Sequence, residues 1–75
     1  MIKLGTYKHF KGMLVQVIGN ALHSETMEEM VVYIHHDPVK GKEADTMWVR
    51  PAKMFLEEVD KPEIGYNGPR FVFVK

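Results

Sequence analysis

Apolar positions in this chain alternate with polar ones or fall in short blocks, and no window longer than ten residues keeps a helical period. That pattern predicts strands. Tyr7 to Phe10 is expected as a short first strand, stopped at Lys11-Gly12. Met13 to Leu22 is a long second strand in which Val15, Val17 and Ala21 share one parity. Gly19 inside it predicts a bulge or a sharp bend. Past such a bend the inside–outside parity slips, so the side to which His23 points stays open. Thr26 to Glu29 turns the chain, and Met30 to His35 forms the third strand, with Val31 and Tyr33 on one side and Met30, Val32 and Ile34 on the other. Residues 36–45 are polar, contain Pro38 and Gly41, and read as an exposed hairpin loop.

Thr46 to Arg50 is the fourth strand, ended by Pro51, which lacks the donor that a central ladder requires. Pro51 to Leu56 suits one helical turn with Pro at its first position, dropping Met54 and Phe55 into the core. Asp60 to Gly68 reads as loop, with Asn67-Gly68-Pro69 supplying turn chemistry. Arg70 to Val74 is the last strand, Phe71 and Phe73 sharing a face. The expected fold is therefore all-β. A single domain over residues 1–75 forms a small SH3-like barrel of about five strands, with one short helical (3-10) turn before the last.

Seventy-five residues sit near the lower size limit for folding without staples, where a core supplies only about 3–5 kcal/mol of net stability. The chain has no cysteine, so neither a disulfide nor a thiolate zinc site stabilises it. The N-terminal stretch reaches Lys3, Lys8 and Lys11 without an intervening apolar run. No export signal or membrane span is expected, and the cytoplasm is the expected location. Ten basic and ten acidic residues cancel, which argues against a large electrostatic share in nucleic-acid binding. The basic residues lead the chain, while Glu57, Glu58, Asp60 and Glu63 cluster late.

Two groups of side chains carry candidate chemistry. His23-Ser24-Glu25-Thr26 packs four polar residues between apolar runs. It reads either as part of a ligand pocket, with His23, Glu25 and Thr26 as recognisers, or as a turn whose hydroxyls and imidazole bond backbone amides. A Ser-His-Glu hydrolase is discounted: neighbours on a strand point to opposite faces, and no Gly-x-Ser-x-Gly elbow exists. His35 and His36 face apart if extended, and no His-x-His or His-x-x-x-His spacing occurs. A metal held by His9, His23 and Glu25 therefore requires a convergence that spacing does not supply. No metal or cofactor is expected.

Tyr7, His9, Tyr33, Trp48 and Arg50 form the second group. On a small barrel such rings present an open face for proline-rich segments, bases or cations. The structural alternative makes Trp48 the largest core residue and Arg50 an ion-pair partner of Glu57 or Glu58.

The joint pattern Gly5-x-Tyr7-x-His9-x-Lys11-Gly12, Ala21-Leu22-His23-Ser24-Glu25-Thr26, Met30-Val31-Val32-Tyr33 and Trp48-Val49-Arg50-Pro51-x-x-Met54-Phe55 resembles a family of small bacterial proteins of unknown function. Members of that family look like compact SH3-like barrels. The likeness runs from Gly5 to Val59 and resumes at Arg70-Phe71. This chain departs from it by a longer loop between Ile34 and Met47 and another before Arg70. The resemblance implies a fold and no reaction. The expected function is a non-enzymatic binding module for a peptide, protein or small ligand. Its face comprises Tyr7, His9, His23, Glu25, Thr26, Trp48 and Arg50. The alternative is single-stranded nucleic-acid or RNA binding through Lys3, Lys8, Lys11, Tyr7 and Arg50. A third reading is an enzyme using His23 and Glu25 as acid–base or metal-assisted residues. The apolar, uncharged Phe71-Val72-Phe73-Val74 strand adds the expectation of a homodimer through sheet edges.

Overall fold

A computed structural model describes residues 2–35 and 46–75; the loop expected over residues 36–45 lies outside them. The chain runs β1 (Gly5–His9), β2 (Leu14–Leu22), β3 (Glu29–His35), β4 (Met47–Pro51), α1 (Ala52–Phe55), β5 (Glu58–Lys61), a 3-10 turn (Pro62–Ile64), β6 (Tyr66–Pro69) and β7 (Phe71–Phe73). The protein is all-β, as the alternation predicts. Its strands form an antiparallel five-stranded sheet in the order β4-β3-β2-β1-β7 and a separate β5-β6 hairpin.

The large sheet is strongly curled. β3 and β7 stand three positions apart in it, or about 14 Å if it were flat, yet the Tyr33 and Phe71 ring centroids are 6.3 Å apart. Arg50 on β4, one strand further away, brings its guanidinium carbon to 5.7 Å from the same Phe71 ring. Part of the bend comes from β2. The register shifts between Val17 and Gly19, the bulge that the interior glycine predicts. Its cost to the simple pattern is that parity breaks there: Val15 and Val17 are buried, whereas Ala21 is exposed.

Ile2, Tyr7, Val15, Val17, Val31, Tyr33, Ala52, Phe55 and Phe71 make one core on the inner face. Phe55, 1% exposed, is its plug: it stacks on Phe71 at 4.1 Å with an interplanar angle of 2° and meets the edge of Tyr7 at 5.2 Å. Met54 does not join it and is exposed. Adjacent residues on a helical turn diverge by about 100°, so only one of the two faces inward. Pro51 is the last residue of β4 and caps α1, one position before the expected place inside the turn. The segment expected as loop from Asp60 to Gly68 is largely the β5-β6 hairpin with its 3-10 turn. Pro69 is tolerated in β6 because a two-stranded sheet leaves each strand one edge without a ladder partner.

Gly5 lets the ends of the sheet meet. Its φ is +140°, and a Cβ there would lie 2.7 Å from the Lys75 carbonyl oxygen and 2.8 Å from a Phe73 ring carbon. That carbonyl accepts from the Thr6 amide at 2.8 Å, so it cannot retreat without breaking a bond. Gly5→Ala is expected to cost about 1–3 kcal/mol from backbone strain alone, with steric overlap adding to it. Urea unfolding reads the loss; a midpoint equal to that of the unsubstituted protein would mean that the tail does not pack there.

Candidate functional site

Strand direction sorts the candidate residues into two ends of the sheet. β1 and β3 finish, and β4 and β7 begin, at one end; this places His9, His35, Trp48 and Phe71 together, with Arg70 just before β7. The β2–β3 turn, carrying His23, Glu25 and Thr26, closes the opposite end, beyond the Leu22–Glu29 pair. Tyr33, which faces Trp48 across the ladder, stands about 13 Å along β3 from Glu29 at roughly 3.3 Å per residue. The seven residues expected to form one face are therefore divided; Arg50 pairs with Val31, between the two ends, and its guanidinium reaches over the Phe71 ring.

At the turn, His23 Nδ1 accepts from the backbone amides of Glu25 at 3.2 Å and Thr26 at 3.4 Å. Thr26 Oγ1 accepts from the Glu28 amide at 3.2 Å. These bonds satisfy donors in a turn that also holds Met27 at φ 62°. His23, Ser24, Glu25 and Thr26 are all exposed. Tyr7 belongs to the core, and its hydroxyl donates to the Lys3 carbonyl at 2.8 Å. Among the described residues no three His, Asp or Glu side chains cluster to hold a metal. His9 and His23, at opposite ends, do not converge.

The His9 end is built differently. On β4 the outward residues are Met47, 67% exposed, and Val49, 62% exposed, while Trp48 and Arg50 turn toward the core side. A guanidinium on the inner face with aliphatic residues outside reverses the usual pattern. Arg50 makes no ion pair or hydrogen bond among the described residues. The carboxylate of Glu57 is taken by Arg70 at 2.7 Å instead. Arg70 Nε is buried there without a hydrogen-bond partner among the described residues.

Phe71 is the common floor. The His9 ring meets it edge-on at 5.0 Å and Arg50 covers it at 5.7 Å. Tyr33 joins it to His35 at 5.7 Å, and His35 meets Trp48 edge-on at 5.8 Å. His9 is 8% exposed, and its Nδ1 accepts from the Lys11 amide at 3.1 Å. The neutral ring therefore carries its proton on Nε2. Burial, and then the charges of Arg50, Arg70, Lys11 and His35, lower its pKa from 6.5 to about 4. Burial and Arg50 lower His35 as well.

A shallow cleft of about 220 Å³ lies beside this end, lined by Lys8, His9, Phe10, Tyr66 and Val72. Phe10 and Tyr66 stack across it at 5.4 Å, and Lys11 reaches toward the Phe10 ring. His35, Arg70, Phe10 and Tyr66 were not singled out as site residues by the sequence. The parity of Val31 and Tyr33, extended by two residues, marks His35. Nothing local marks Arg70 or Tyr66, because the curl of the sheet and the second hairpin bring them in.

A family described as protein of unknown function (DUF1653) matches residues 5–73 of this chain. Among solved structures, the crystal structure of a DUF1653 protein from Bordetella bronchiseptica is similar. Identity is 30%, with 97% of this chain and 87% of that one covered and a TM-score of 0.78. No curated protein matches.

Proposed function

The chain belongs to the DUF1653 family of proteins of unknown function, and within it we propose that this protein is a non-enzymatic binding module whose ligand sits at the His9 end of the curled sheet. One observation carries the reading: Arg50 points to the core side and has no carboxylate partner among the described residues, while Met47 and Val49 point outward. An inward guanidinium that no described carboxylate compensates is a poor stabilising device, and a group kept at a cost to stability is better explained by what it binds.

His9, Trp48 and Arg50 remain the recognition residues, joined by His35 and Arg70. Tyr7 supports them from the core, and His23, Glu25 and Thr26 shape the distant turn. Among the described residues the proposed site holds no serine, threonine or cysteine, and the Glu57 carboxylate is engaged by Arg70; this supports binding rather than turnover. Nucleic acid is the weaker alternative. Tyr7 offers no ring for base stacking, since it is buried, and Lys3 lies over Phe73 at 4.5 Å. No described helix is long and apolar enough to cross a membrane.

Chemical-shift mapping with peptide, nucleotide and metabolite libraries tests the site. Perturbations are expected at His9, His35, the Trp48 indole and Arg50, and Arg50→Met is expected to remove them while leaving thermal stability equal or higher. Ligands that perturb only the His23 turn would overturn the placement.

A further inference from the structure

We infer that the His9 end is an oxyanion site, selecting a small ligand through a carboxylate or phosphate group; this rests on the binding-module reading above and names what the module holds. The inference comes from an imbalance of hydrogen-bonding groups. Arg50 brings a guanidinium, His9 an Nε2–H, Trp48 an indole N–H and Arg70 a buried Nε–H. None of these groups has an acceptor among the described residues; only the Arg70 terminal nitrogen is matched, by Glu57.

Four donor groups without described acceptors fit a ligand atom set that is all acceptor, and ionised oxygens make the strongest such bonds. Phe71 beneath Arg50 and His9 supplies an apolar floor, which lowers the local dielectric and strengthens the attraction. His9 and Arg50 both contact that one ring, and the inferred anion lies between them.

Protonation follows from the same arrangement. Among the described residues the charged and titratable groups that act on His9 are Arg50 from β4, Arg70 from the start of β7, Lys11 from the β1–β2 turn and His35 from β3, all cationic or neutral. An anion among them reverses the sign of the local field and favours the imidazolium. Binding then takes up a proton, and affinity rises as pH falls from 8 toward 5.

Titration of the whole chain with inorganic phosphate, phenyl phosphate, acetate and benzoate at low salt tests this, read from the His9 and Trp48 ring signals and from calorimetry. Saturable shifts at both rings are expected, with a higher His9 pKa in the bound state. Arg50→Met is expected to weaken binding about tenfold or more, with an unchanged fold confirmed by its melting temperature. Preference between the phosphate and carboxylate arms identifies the ligand group. If no probe gives saturable shifts at these rings, the oxyanion assignment falls. If peptides or neutral metabolites then shift the same residues, the module reading survives without it; if nothing shifts them, both fall. Single-stranded RNA that perturbs Lys8, Lys11, Phe10 and Tyr66, with a steep salt dependence and no effect at Arg50, would overturn the small-ligand assignment.

Discussion

Phe55→Ala is expected to leave this domain mostly unfolded at 25 °C. The side chain is 1% exposed and touches three rings from three different strands: Phe71 by stacking, Tyr7 by its edge, and Tyr33 at 6.0 Å. Removing a buried phenyl group costs about 3–5 kcal/mol through lost transfer energy and the cavity left behind. A chain of this size has only about 3–5 kcal/mol to lose. No disulfide limits the entropy of the unfolded state, because there is no cysteine. Loss of the near-ultraviolet circular dichroism of the packed rings, and of a cooperative urea transition, is the expected result. Phe55→Leu, which keeps most of the volume, is expected to retain the transition. A cooperative transition in Phe55→Ala close to the unsubstituted protein's would show that the core closes without its plug.

The second large effect is acid lability centred on His9. In the unfolded chain this imidazole takes a proton near 6.5, whereas in the folded state it waits until about 4. Between those values the unfolded state binds more protons, so stability falls as pH falls. The contribution is fully present above about 6.5 and gone by about 4. The shift corresponds to at most about 3 kcal/mol, less the screening that solvent supplies at the open end. His35, also lowered by burial and Arg50, adds a slope of the same sign. Urea midpoints measured from pH 7.5 to 4 should fall throughout this window. His9→Asn, whose side-chain oxygen can still accept from the Lys11 amide, should flatten the fall. An equal slope in both proteins would move its origin to other groups.

Most of the strand pattern was legible in the sequence, and the failures share a cause. Alternation marked the first four strands and the last to within two residues at each end, and Gly19 marked the bulge. The β5-β6 hairpin was hidden because Gly68 and Pro69 lie inside a strand. Turn residues are read as loop unless an edge position excuses them. Met54 reads as core beside Phe55 because a one-turn helix is too short to display its own period. At the site, Trp48 and Arg50 stood out by type. Phe71 reaches Arg50 only because four strand spacings are folded over the core, and that curvature is not written in any one strand. The division of His23 from Trp48 comes from strand direction, which follows once β2 and β3 are taken as a hairpin. A slip at the bulge changes which face a side chain occupies, but not which end of the sheet carries it.

Arg50 and His9 meet over the Phe71 ring, with no carboxylate paired to either among the described residues. Following the His9 ring signals against pH by NMR, in the unsubstituted protein, in Arg50→Met and with phosphate added, tests it most directly. A free-protein midpoint at about 4, moving upward both when the guanidinium is removed and when phosphate binds, is the result predicted. A midpoint near 6.5 that neither change moves would contradict it.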